Sequence, residues 1–161
     1  MLAACSGAPQ APPKPPAGYD FPALTGRVVD RADILTPADE AVLAGQAEEL
    51  ENATGHQFVV VTLTGLGGHK IEDYGMKLGN HWGIGRKEHD DGVLLIVAPN
   101  ERMVRIAVGL GLETTITDAE AKTIIDKDIL PQFREGRFPE GIRNGATSIV
   151  RELTPVSKDT A

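Results

Sequence analysis

The chain has one cysteine, one tryptophan and only 4% aromatic residues in 161. A lone thiol closes no internal disulfide and cannot supply a structural zinc site. No apolar run approaches the ~18 residues a membrane span needs, which excludes an integral membrane protein. Cations are scarce too: 16 Lys and Arg against 23 Asp and Glu leave a net charge of -7. A nucleic-acid partner needs a cationic face against phosphate, and a charge of this sign disfavours it. What remains is ordinary for a globular domain, with 41% hydrophobic and 24% charged residues. A chain of this length can bury about two-thirds of its unfolded surface.

Proline is abundant, and unevenly placed. Six of eleven lie at Pro9, Pro12, Pro13, Pro15, Pro16 and Pro22. The segment from Ala8 to Pro22 has no hydrophobic periodicity, and proline removes backbone donors and favours extended conformers. It reads as a semi-rigid spacer outside the fold. Its charges, Lys14 and Asp20, cancel, so the -7 falls on the residues after Pro22. Just before it, Leu2-Ala3-Ala4-Cys5-Ser6-Gly7 resembles the lipobox of bacterial lipoproteins, whose cysteine becomes lipidated. Cys5 is therefore the candidate lipidation site. The expected setting is the bacterial cell envelope, lipid-anchored and periplasmic-facing, with a membrane surface as partner. A secretion signal needs a basic start and an apolar core of about 7–15 residues. Neither precedes Cys5, so a start upstream of Met1 or a trimmed signal is expected. The chain divides into a lipobox remnant and tether (1–25), a domain (26–154) and a disordered C-terminus (155–161).

Within the domain, Gly26 to Asp30 is a short strand candidate. Thr36-Pro37 opens a helix with Asp39 and Glu40 in its first turn, and Gly55 stops it. Phe58 to Leu63 and Val93 to Ala98 are nearly continuous apolar runs that suit strands buried on both faces. A helix from about Ile71 to Trp82 separates them. Pro99 to Arg102 forms a tight connection to Met103–Val108, where Arg105 alternates with apolar neighbours. Thr117-Asp118-Ala119-Glu120 is a capping box for a further helix that Pro131 ends. A last helix carries Ile142, Ala146, Ile149, Val150 and Leu153 on one face. The order β-α-β-α-β-β-α-α predicts a three-layer α/β/α sandwich, Rossmann-like, with helices on both faces of a mixed sheet of about four strands.

Several chemistries find no support. Gly65-Leu66-Gly67-Gly68-His69-Lys70 matches neither dinucleotide fingerprint nor P-loop, and reads as a flexible turn. The four histidines form no zinc pattern and read as surface or cap residues. No serine sits in a nucleophile turn. The acids are more informative. Asp90 and Asp91 precede one strand, and the antiparallel partner exits at Gly109 to Glu113, beside them; Asp118 comes a short loop later. Carboxylates with glycine-exposed carbonyls suit a hard cation, Ca²⁺ or Mg²⁺. A turn, a helix cap and a solubilising rim explain the same residues without a metal. Asp30 joins this group only if its strand is antiparallel or its loop folds back.

The ordered series of segments resembles the TPM-domain family over roughly Gly26 to Leu153. It includes Val29-Asp30-Arg31-Ala32, Thr54-Gly55-His56-Gln57-Phe58, Trp82-Gly83-Ile84-Gly85, Asp91-Gly92-Val93-Leu94-Leu95, Arg105-Ile106, Gly111-Leu112-Glu113, Asp118 and Pro131-Gln132-Phe133-Arg134-Glu135-Gly136. The resemblance implies an α/β/α sandwich, a divalent cation, and in some members weak acid-phosphatase activity, with the family's acids falling on Asp30, Asp91, Glu113 and Asp118. Two positions depart from the pattern: Ala107 stands where the family commonly has Glu, and Leu110 where it commonly has Tyr. Two functions are in view. In the enzyme, Asp91 is nucleophile or metal ligand and Arg105 or Arg102 meets phosphate, although Arg102 sits at the opposite sheet end. In the binding module, a lipid-tethered envelope domain takes Ca²⁺ or Mg²⁺ at Asp30, Asp90, Asp91, Glu113 and Asp118, and a protein partner, in envelope or membrane-protein maintenance. The second needs no nucleophile and is preferred.

Overall fold

The computed structural model describes residues 14–155. Cys5 and the last six residues therefore lie outside the described region. Four strands form one sheet in the order β1 (Val28–Asp30), β2 (Gln57–Thr62), β3 (Gly92–Ala98), β4 (Met103–Val108). β1 and β2 are parallel, as are β2 and β3, and β4 returns antiparallel to β3. The two continuous apolar runs take the two central places, where both faces are covered.

Alternation along the strands splits the core in two. Phe58, Val60, Leu95 and Ile106 face helix α1 (Pro37–Thr54) and helix α5 (Phe138–Leu153), which contribute Leu43, Leu50, Ile142 and Ile149. Val59, Val61, Leu94 and Ile96 face helix α2 (Ile71–Trp82), which contributes Ile71, Tyr74 and Leu78. The three-layer sandwich is thus present. Its winding is unusual. The chain steps across the sheet in one direction from β1 to β3, yet α1 and α2 lie on opposite faces. The two parallel crossovers therefore have opposite hands, although about 98% of such units are right-handed.

Local chemistry sets the helix ends. The Thr36 hydroxyl accepts the Asp39 N–H while the Asp39 carboxylate accepts the Thr36 N–H, and Gly55 closes α1 at φ 82°. Thr117 and Glu120 make the same reciprocal cap on α3 (Asp118–Ile124). Pro131 does not end that helix. A π turn over Ile125–Ile129 carries the chain on into α4 (Leu130–Arg134). Proline lacks an N–H and its ring clashes with the carbonyl four residues back; the wider turn accommodates both.

The spacer also departs from its reading. Part of it is packed structure rather than a segment outside the fold. Tyr19 stacks on His69 at 3.8 Å, and Phe21 meets Tyr74 edge-on at 5.1 Å. The Tyr74 hydroxyl donates to the Asp20 carbonyl, the Trp82 indole to that of Pro22, and His69 Nε2 lies 2.7 Å from the Gly18 carbonyl. Burial and nearby Asp20 push the Tyr74 phenol up to about 12, against the pull of Arg31, so it remains a donor.

Candidate functional site

Asp91 sits immediately before β3, with its side chain 3% exposed. One carboxylate oxygen accepts the Arg86 backbone N–H at 2.8 Å. The other accepts Arg86 Nε at 2.9 Å and Nη2 at 2.6 Å, and lies 3.0 Å from His56 Nδ1. Burial works against the Asp91 charge, but the Arg86 and His56 hydrogen bonds and the Arg86 charge outweigh it and hold the carboxyl far below the usual carboxylate range. Both oxygens accept hydrogen bonds within the protein. The arginine in turn rests on Gly55, where a Cβ would come within 2.6 Å of its guanidinium carbon. Asp91 therefore fastens the loop after α2 to the start of β2. Neither partner is legible in the sequence. The polar loop carrying Arg86 has no periodicity, and His56 stands 35 residues away.

Asp90 occupies the left-handed region at φ 48°. As the topology predicts, the exit of β4 returns beside it: the Gly109 N–H donates to Gly92 at 2.8 Å and the Gly111 N–H to Asp90 at 2.9 Å. Added Cβ atoms at Gly109 and Gly111 would strike the His89–Asp90 backbone, which explains why glycine stands at both. Asp90 Oδ2 also accepts the Leu110 N–H at 3.3 Å.

Asp90 and Glu113 line one groove of about 480 Å³ between α2 and β4. Glu72 and Asp73 add acid from the start of α2, and Arg105 reaches it from β4. Small residues make the space: a Cβ on Gly75 would already meet Ile96 and Ala107. The Arg105 Nε is buried without a hydrogen-bond partner among the described residues. Met76 and Leu110, 57% and 73% exposed, flank the groove.

The remaining expected ligands are elsewhere. Asp30 lies at the opposite end of the sheet, because β1 is parallel to β2 and pairs Asp30 with Thr62, whereas Gln57 pairs with Gly92. Its carboxylate accepts the Ile34 and Leu35 N–H groups and the Thr62 hydroxyl, shaping the loop into α1. Its loop does not fold back toward Asp91. Asp118 begins α3 and does not line the groove. Among the described residues no three Asp, Glu, His or Cys side chains stand close enough to hold a metal ion. The five-residue ligand set does not assemble as a cage. Asp90 and Glu113 remain, and a cation between two such carboxylates would keep much of its water.

The fold and groove define an α/β/α domain of Rossmann-like type with an acidic cleft beside its antiparallel edge strand. The chain belongs to the TPM-domain family, whose model matches residues 28–152. Among solved structures it is similar to the N-terminal domain of a Porphyromonas gingivalis protein, with 33% identity and TM-score 0.75 over 80% of this chain and 82% of that one. The N-terminal domain of cg2496 from Corynebacterium glutamicum shares the fold at 15% identity and TM-score 0.64, over 93% and 94% of the two chains. The BA42 protein of Bizionia argentinensis does so at 22% identity and TM-score 0.64, over 80% and 90%. No curated protein matches the chain.

Proposed function

We propose that this chain is a lipid-tethered binding domain of the bacterial cell envelope. It takes a divalent cation, Ca²⁺ or Mg²⁺, and a protein partner in envelope or membrane-protein maintenance. The observation that carries the preference over an enzyme is the state of Asp91. A nucleophile or a metal ligand must reach its substrate or ion; the Asp91 side chain is 3% exposed, and Arg86 and His56 engage both of its oxygens. Of the expected ligands, Asp90 and Glu113 are the two that line the groove, with Glu72 and Asp73 beside them. Exposed Met76 and Leu110 beside them support a protein surface as the second ligand, since flexible apolar side chains adapt to partners. The envelope setting rests on the lipobox-like segment at Cys5. Among the described residues no helix is long and apolar enough to cross a membrane.

One observation favours the alternative, a cation-dependent acid phosphatase acting on phosphomonoesters. The unpartnered Arg105 Nε lines the same groove and suits a phosphate oxygen. NMR titration with Ca²⁺ and Mg²⁺ tests the main reading. Saturable shifts should centre on Asp90 and Glu113, with Asp90→Asn and Glu113→Gln each weakening affinity at least about threefold. Asp91→Asn should leave that affinity unchanged. Absent shifts at Asp90 and Glu113 would remove the cation, while metal-dependent turnover of a phosphomonoester, abolished in a folded Asp91→Asn or Arg105→Ala variant, would make the domain an enzyme. Fatty-acid labelling of the protein in its native host, lost in Cys5→Ser, tests the tether.

A further inference from the structure

A second cavity, of about 500 Å³, opens at the other end of the sheet, where the β3–β4 turn meets α4 and the start of α5. Its chemistry is the reverse of the acidic groove. Arg102 and Arg134 border it, Met103, Leu130, Phe133 and Phe138 supply apolar surface, and no acidic residue lines it. On a chain carrying -7, two cations facing one cavity without an acid are a local inversion of charge. Among the described residues neither guanidinium forms an ion pair. The nearby acids are engaged elsewhere: Arg137 takes Glu135 and Glu140, and the Glu101 carboxylate accepts the Leu66 N–H.

The apolar wall is held in place. The π turn and Pro131 deliver Leu130, Phe133 and Arg134 to the cavity on one short helix. The Phe133 and Phe138 rings lie 4.9 Å apart, and Gly141 leaves room for the Phe133 ring, which an added Cβ would approach to 2.6 Å. Met103 is 46% exposed and both phenyl rings are only partly buried, so apolar area remains open to a ligand. The volume falls within the range of small-molecule sites, about 300–1,000 Å³.

We infer that this cavity binds a single-chain anionic amphiphile, such as a fatty-acid carboxylate: the head between Arg102 and Arg134, the alkyl tail against Met103, Leu130, Phe133 and Phe138. Burial of the tail supplies affinity in proportion to its apolar area, and the two guanidinium groups bordering the cavity select the sign of the head. The occupant is a monomeric molecule and not a bilayer surface, because the apolar area lines a cavity.

The test is NMR titration of the full chain with dodecanoate below its micelle concentration. Saturable shifts at Arg102, Met103, Phe133, Arg134 and Phe138 are expected. The double variant Arg102→Gln, Arg134→Gln should weaken binding at least tenfold with the fold intact, and Phe133→Ala should do the same through the tail. Acetate, the head alone, and dodecyltrimethylammonium, the tail with opposite charge, should not bind there. Equal binding of the cationic amphiphile, unchanged affinity in the double arginine variant, or binding to phosphatidylglycerol vesicles without binding to monomeric dodecanoate would each overturn the assignment. These outcomes are independent of cation binding at Asp90 and Glu113.

Discussion

Asp91 holds four hydrogen bonds on two oxygens, so its worth is set by what its donors would do without it. Replacing it with Asn removes the charge and breaks the fork with Arg86. The loss should be about 2–3 kcal/mol, smaller than for a fully buried pair because Arg86 is 41% exposed and rehydrates. Urea unfolding of Asp91→Asn measures it. The pH dependence has a definite sign. A carboxyl held below its unfolded value, near about 3.9, contributes fully above that value and loses its contribution as pH falls through the folded one. Stability should therefore decline as the solution is acidified below about pH 4, and Asp91→Asn should flatten that limb. Gly55→Ala should cost at least about 1 kcal/mol, since the residue has φ 82° and a Cβ would displace the Arg86 guanidinium. The aspartate at this site was legible because it precedes an obvious strand. Its partners were not, because an ion pair across a non-periodic loop leaves no spacing to read.

Periodicity and caps made most elements legible: Thr36, Gly55, Thr117 and the apolar runs mark boundaries that the backbone respects. The exception is α3 to α4, where proline predicts a stop and the chain continues through a π turn. A sequence rule for Pro131 sees the missing donor but not Ile129 before it, buried in the core, and Phe133 after it, packed against that core. Two glycines in helices should respond oppositely to alanine. Gly45 in α1 has nothing within 4 Å of an added Cβ, and Gly45→Ala should stabilise by about 0.5–1 kcal/mol. Gly141 in α5 would press on the Phe133 ring and the Ile129 carbonyl, and Gly141→Ala should destabilise by about 1–3 kcal/mol. Paired thermal melts of the two variants check both signs.

For the whole molecule, strand direction followed from the alternation of buried runs with helices, and the return of Gly109 to Glu113 beside Asp90 from the tight turn before β4. The opposite hands of the two crossovers did not, because neither periodicity nor connection length records which face a helix covers. The same blindness hid the docking of Tyr19 to Pro22: aromatic residues in a proline-rich stretch carry no period, and their partners lie 50 or more positions away. Removing residues 1–22 should therefore destabilise the remainder by about 2–4 kcal/mol and shift Trp82 emission to the red as its indole loses the Pro22 carbonyl. Guanidinium titration tracked by Trp82 fluorescence tests this, and an unchanged midpoint would mean that the domain begins at Gly26 after all.

That docking also sets the length of a leash. In a chain anchored at Cys5, 21 residues to Gly26 would let the domain range up to about 75 Å from its anchor. Among the described residues docking to the domain begins at Gly18, whose carbonyl lies 2.7 Å from His69 Nε2, so 13 residues remain and the reach falls to about 47 Å. The aromatic strap thus shortens by more than a third the radius within which the acidic groove could meet a partner, and ties that radius to how firmly Tyr19 and Phe21 hold.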